Sequence, residues 1–144
     1  MNDTIVTLQG YVGGTPKLRT AGDTVVASFR LGSTPRHYHR TTETWVDDQT
    51  QWFTVTAWRG LGENCAVSLQ RGDAVVVQGR MRLSTWVDGS GVDQQTWEVV
   101  ATSVGHDLSR GTSRFVRTPR PAPAVEEAAS EAAQEEPTGE EVAA

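Results

Sequence analysis

The sequence predicts an all-β protein, a small and partly open five-stranded barrel with one short helix between the third and fourth strands. Three observations carry that expectation. Short runs of β-branched and aromatic residues alternate with a period of two, clusters of turn residues separate them, and only one segment has helical spacing.

The first run, Ile5 to Val12, reads Ile-Val-Thr-Leu-Gln-Gly-Tyr-Val and stops at the turn cluster Gly13-Gly14-Thr15-Pro16. In the second, residues 24 to 32, Val25, Ala27, Phe29 and Leu31 fall on one face and Val26, Ser28 and Arg30 on the other, as in a half-buried strand. Ser33 to Gln51 is polar and carries His37, His39 and Asp47-Asp48, so it is expected to be a long, mobile surface loop. The third strand, residues 52 to 58, sets Phe53, Val55 and Ala57 against Trp52, Thr54, Thr56 and Trp58. Leu61, Cys65 and Leu69 then recur every fourth residue, which predicts one short amphipathic helix within Gly60 to Arg71, closed by Gly72-Asp73. Ala74 to Leu83 is the fourth strand, with Val75, Val77 and Met81 alternating with Val76, Gln78, Arg80 and Arg82. The segment Trp86 to Gly91 has the Asp-Gly chemistry of a hairpin tip, and Thr96 to Val104 is the returning fifth strand.

Five strands with a helix after the third is the element order of an oligonucleotide-binding (OB) fold. Parallel α/β architecture is excluded because the crossover helices it needs are missing.

Charge divides the chain. Residues 1–120 hold all 13 basic residues with 11 acidic ones, whereas 121–144 hold seven glutamates and no base. From about residue 111 the Pro/Ala/Glu-rich sequence has too few large apolar groups to offset the entropy of ordering. The expected organisation is a binding domain over 1–110 and a disordered acidic tail over 111–144. One cysteine cannot form an intrachain disulfide, no secretory pattern opens the chain, and no apolar run approaches the ~18–20 residues that span a bilayer. These features predict a cytoplasmic protein that makes no use of a membrane.

Single-strand binding needs flat π-faces on which unpaired bases stack and cations that follow the phosphates. Trp52, Trp58 and Trp86 are the stacking candidates. Phe53 and Val55 already occupy the inward positions of their strand, so Trp52 and Trp58 face out, toward nucleic acid or a second subunit. Arg30, Arg80 and Arg82 lie opposite apolar neighbours, and Arg36 and Arg59 extend the set from adjoining segments. Tyr38 is read as a further stacking ring. Trp45 and Trp97 are ambiguous; Trp97 alternates with Val99 as a core residue would and is left out of the site. His37, His39, His106 and Cys65 lack metal-ligand spacing, so neither a metal nor another cofactor is expected. No nucleophile–base arrangement, catalytic carboxylate pair or phosphate-cradling loop is present, so the chain is not read as an enzyme.

Taken in order, Asp-Gln-Thr-Gln-Trp52-Phe-Thr-Val, Ala-Trp58-Arg-Gly-Leu, Leu69-Gln-Arg-Gly-Asp, Gln78-Gly-Arg-Met-Arg, Ser-Thr-Trp86-Val-Asp-Gly-Ser-Gly and Trp97-Glu-Val-Val resemble the bacterial single-stranded DNA-binding protein family over about residues 4 to 110. The resemblance implies base stacking at Trp52, Trp58 and Trp86, with Trp58 where phenylalanine is common. It also implies a fourth aromatic position that matches Tyr38, or His37 with a one-residue shift. It further implies a homotetramer that wraps single-stranded DNA in replication, recombination or repair, which would associate it with the nucleoid. Housekeeping members end in an acidic Pro-Phe tip that recruits replication proteins. This chain reads Glu140-Glu141-Val142-Ala143-Ala144, so that recruiting contact is expected to be missing, as in a secondary paralogue. The competing reading is an assembly adaptor similar to primosomal restart factors, which binds mainly proteins.

Overall fold

The computed structural model describes residues 2–119. Eight strands and one helix follow in the order β1 Thr4–Val12, β2 Lys17–Ala21, β3 Thr24–Ser33, β4 Arg36–His39, β5 Thr44–Asp47, β6 Gln51–Trp58, α1 Arg59–Ser68, β7 Ala74–Val87 and β8 Asp93–His106. The five strands expected from sequence are β1, β3, β6, β7 and β8, and α1 stands between the third and fourth of them.

Hydrogen bonding orders the main sheet β1-β7-β8-β6-β3-β2, and β1 also pairs with β3. That last contact closes the sheet into the oligonucleotide-binding barrel. The seam is short, Tyr11 opposite Gly32 and Val12 opposite Leu31. Every pairing is antiparallel except β6 with β8. Between Gln78 and Gly79 the β7–β8 register slips, leaving Thr102 as an extra residue on β8 whose Oγ1 donates to the Gln78 carbonyl at 3.1 Å. Such a bulge bends the strand and sharpens its twist, which helps a small sheet to close.

Inward positions fill the core: Leu31, Val55, Val75, Val77 and Val99 are fully buried, with Phe29, Phe53 and Val12 around them. Each such side chain contributes about 1.5–3 kcal/mol through removal from water. Helix α1 packs on β3 and β6, and its Cys65, with Leu69 just beyond its end, joins this core. Burial pushes the Cys65 thiol up to about 11, since the thiolate would have to form away from water. Native protein at pH 8 is therefore expected to react negligibly with a disulfide reagent that modifies the urea-unfolded chain within minutes; rapid labelling of the native state would contradict this burial.

Four expectations are corrected. Ser33 to Gln51 is not a loop throughout: β4 and β5 form a two-stranded hairpin, joined to the β3–β6 ladder through a Thr34–Thr50 hydroxyl pair at 2.7 Å and Asp48 N donating to the Pro35 carbonyl at 2.8 Å. Pro35 has no N–H to offer, so the ladder is interrupted there and then resumes. Strand β2 has no counterpart among the expected strands. All five of its residues are exposed, so it has no apolar alternation to betray it. Trp86 belongs to β7, opposite Gln94, and the turn proper is Asp88 to Gly91. Val26, assigned to the outer face, is completely buried because Arg19 and Trp58 flank it on the neighbouring strands.

The barrel unit runs to Ser113, where the Ser113 hydroxyl meets His106 Nδ1 at 2.8 Å. Residues 114–119 are exposed and form no regular secondary structure. The acidic part of the expected tail lies outside the described residues.

Candidate nucleic-acid interface

Register settles which side chains share the outer face. On β6 the even positions Trp52, Thr54, Thr56 and Trp58 point away from the core occupied by Phe53, Val55 and Ala57. Across the ladders, Thr54 stands opposite Arg30 on β3 and Glu98 on β8, and Glu98 stands opposite Arg82 on β7. One row to the side, Thr56 aligns with Ser28 and Val100, and Val100 with Arg80. Trp86 continues the outer face of β7 four residues beyond Arg82. Trp52, Trp58, Trp86, Arg30, Arg80 and Arg82 therefore occupy one continuous surface, separated chiefly by small hydroxyl side chains.

The indoles are 48, 41 and 48% exposed at Trp52, Trp58 and Trp86. Each is about half open to solvent, as a stacking platform must be. Trp52 is the most constrained. It pairs with Gly32, and a Cβ placed on Gly32 or Gly13 would meet its ring at 3.0 and 2.8 Å. Two glycines thus leave room for the ring to lie close against the backbone, while the Arg30 guanidinium sits 5.4 Å from its centroid.

Trp86 stands two residues before a densely hydrogen-bonded hairpin tip. Asp88 Oδ1 accepts from Ser90 N at 2.9 Å, Ser90 Oγ at 2.7 Å and Val92 N at 3.0 Å, and Oδ2 accepts from Gln94 Nε2 at 3.0 Å. The Ser90 hydroxyl, then the Val92 amide and the Gln94 side chain, hold this carboxyl down to about 2. Because the folded value is depressed, the tip's support is complete above the ordinary carboxylate range and is lost only as pH falls through about 2. Amide exchange at Ser90 and Val92 is expected to stay slow down to pH 3 and to become fast in Asp88→Ala; equal protection in the variant would remove Asp88 from this role.

Not every arginine is uncommitted. Arg82 Nη2 donates to Glu98 Oε1 at 3.2 Å, and Thr56 Oγ1 donates to the same oxygen at 3.4 Å. This shields the one carboxylate in the centre of the face. Arg36 pairs with Asp47 at 2.8 Å and its guanidinium lies 6.0 Å from the Trp45 ring. Tyr38 meets Trp45 edge-on at 5.7 Å. Arg36 and Tyr38 therefore belong to the β4–β5 hairpin, apart from the six residues on the barrel face. His37 pairs there with Asp48 at 3.2 Å, and among the described residues no group of three metal-binding side chains gathers. Arg59 follows Trp58 with φ of 60°, a left-handed conformation that suits glycine, and its side chain is exposed.

Trp97 is an aromatic whose environment the sequence leaves open. It has core parity with Val99 and stands opposite Phe53 of β6 and Leu83 of β7, yet it is 46% exposed. It lines an open groove of about 850 Å³ together with Trp52, Phe53 and Met81.

The chain matches the model of the single-strand binding protein family over residues 3–107. It is 44% identical over 111 residues to single-stranded DNA-binding protein 2 of Tropheryma whipplei, an alignment covering 76% of this chain and 72% of the relative. It is 41% identical over 120 residues to single-stranded DNA-binding protein 1 of Streptomyces coelicolor, covering 83% and 76%. Among solved structures, a small single-stranded DNA-binding protein from Streptomyces coelicolor superposes with a TM-score of 0.69 at 38% identity, over 77% of this chain and all of that one. The second single-stranded DNA-binding protein of Mycobacterium smegmatis gives 0.61 at 28% identity, over 81% and 100%.

Proposed function

The chain belongs to the single-strand binding protein family, and on that premise we propose that it binds single-stranded DNA without sequence preference. Bases stack on Trp52, Trp58 and Trp86, and Arg30, Arg80 and Arg82 follow the phosphates, with Tyr38, Arg36 and Arg59 at the margins. The observation that carries this reading is the single outer face on which three half-exposed indoles and three arginines alternate. Every base offers a π-face, so stacking of this kind tolerates any sequence. Arg59, held in a backbone conformation glycine adopts more easily, supports a use for its side chain beside Trp58.

Residues 1–110 are the binding unit in this proposal, assembled as a homotetramer in the cytoplasm and nucleoid, and residues from 111 onward are a tail. No chemical step is assigned to the protein. It acts by favouring the unpaired state of DNA, in replication, recombination or repair.

The test is intrinsic tryptophan fluorescence during titration with oligo-dT, with duplex of equal length as control, at low and high salt. Strong quenching by oligo-dT alone, weakened by salt, is the expected result. Absence of quenching would overturn the proposal in favour of an adaptor that binds proteins.

A further inference from the structure

Beside Trp52 the outer face is hollowed into a cleft of about 240 Å³ between the β1–β2 turn and strands β3 and β6. Gly13 and Gly14 form one wall, Ser28 and Thr54 supply hydroxyl groups, and Lys17 and Arg30 bring two cations; no acid lines it. Ligand pockets for drug-sized molecules begin at about 300 Å³. This cleft is smaller, and the only charged residues that line it are the two cations.

Lys17 and Arg30 reach the cleft through register. Lys17 on β2 pairs with Ser28, and Ser28 and Arg30 are successive outward residues of β3. Lys17 and Arg30 are therefore diagonal neighbours across the β2–β3 pair, about 7–8 Å apart, a spacing that two long cationic side chains can close around one phosphate. Arg36 and Arg82 are committed to Asp47 and Glu98, whereas neither Lys17 nor Arg30 forms an ion pair among the described residues. The cleft also shares Gly13 and Arg30 with the immediate surroundings of the Trp52 ring.

We propose that this cleft is a phosphodiester subsite, in which Lys17 and Arg30 hold the backbone phosphate adjoining the base that lies on Trp52. The assignment rests on the single-strand binding reading and adds to it a residue, Lys17, and a coupling of base and phosphate recognition within one nucleotide. A lysine on an edge strand can also serve to discourage edge-to-edge pairing. That role would leave the salt dependence of DNA binding untouched, so the two are separable by experiment.

Oligo-dT is titrated against wild type, Lys17→Ala and Lys17→Arg over a range of salt, following tryptophan quenching. Each phosphate neutralised on a single strand contributes about 0.7 to the slope of log K against log salt. Lys17→Ala is expected to have a slope shallower by that amount with undiminished quenching at saturation, and Lys17→Arg to restore the slope. An unchanged slope in Lys17→Ala would overturn the subsite while leaving single-strand binding intact. A shallower slope with diminished saturating quenching would also overturn it, since Lys17 would then be acting through the placement of Trp52. Failure of the wild type to bind oligo-dT would instead remove the underlying reading.

Discussion

Simultaneous Trp52→Ala, Trp58→Ala and Trp86→Ala substitution is expected to weaken binding of oligo-dT by at least about 3 kcal/mol, ~150-fold, since each stacked base is worth about 1–3 kcal/mol. The loss should be largest for Trp52 alone. Its ring is fixed on Gly13 and Gly32 before DNA arrives, so little ordering cost offsets its stacking energy. Stability should change unevenly. Trp52 and Trp86 present about half of their surface to water, and their removal leaves the core intact. Trp58 flanks the fully buried Val26 and should cost about 1 kcal/mol when truncated, because Val26 then meets solvent. Fluorescence anisotropy of labelled oligo-dT measures the first effect, and urea unfolding the second. A triple variant that binds as wild type does would show that these indoles are not the platforms.

How far the sequence reveals this site depends on burial. Strands with one wet and one dry face announce themselves, and β3, β6 and β7 are legible because Phe29, Val55 and Met81 alternate with polar neighbours. The same alternation by itself puts Trp52, Trp58, Arg30, Arg80 and Arg82 on the outside of their strands. What parity cannot supply is the assembly of these strands' outer sides into one face, which depends on the β6–β8 and β3–β6 registers. Elements exposed on both sides are silent. Strands β2, β4 and β5 have no buried residue, so a period of two has nothing to act on.

Trp97 illustrates a different limit, where parity is legible but the environment is not. It shares the side of β8 that Val99 occupies and pairs with the buried Phe53, yet nearly half of it is open to solvent. Lys17 escapes notice for a related reason. On an exposed edge strand it looks like ordinary surface charge, and only pairing with Ser28 brings it to the cleft beside Arg30.

The seam between β1 and β3 is where the barrel should be most vulnerable to a small change. A Cβ on Gly10 would lie 2.4 Å from the Gly32 carbonyl oxygen and 3.2 Å from Leu31 Cδ1. The first of these neighbours is backbone, which cannot rotate away as a side-chain tip can, so β1 and β3 must separate. Only two residue pairs close the barrel there, and one of them contains Leu31, a fully buried core residue. Gly10→Ala is therefore expected to cost about 1–3 kcal/mol, in the range of overpacked cores, and to lower the urea midpoint at fixed protein concentration. Because Gly32 also underlies Trp52, the folded fraction should quench less with oligo-dT than wild type does. Gly105→Ala is the control: it is also a strand glycine, but its Cβ would meet nothing within 4 Å, and its stability should stay within about 0.5 kcal/mol of wild type. Equal midpoints for Gly10→Ala and Gly105→Ala would mean that the chain tolerates an open seam and that closure by β1 does not set its stability. A lower midpoint for Gly10→Ala with full quenching would instead separate closure of the barrel from placement of the ring.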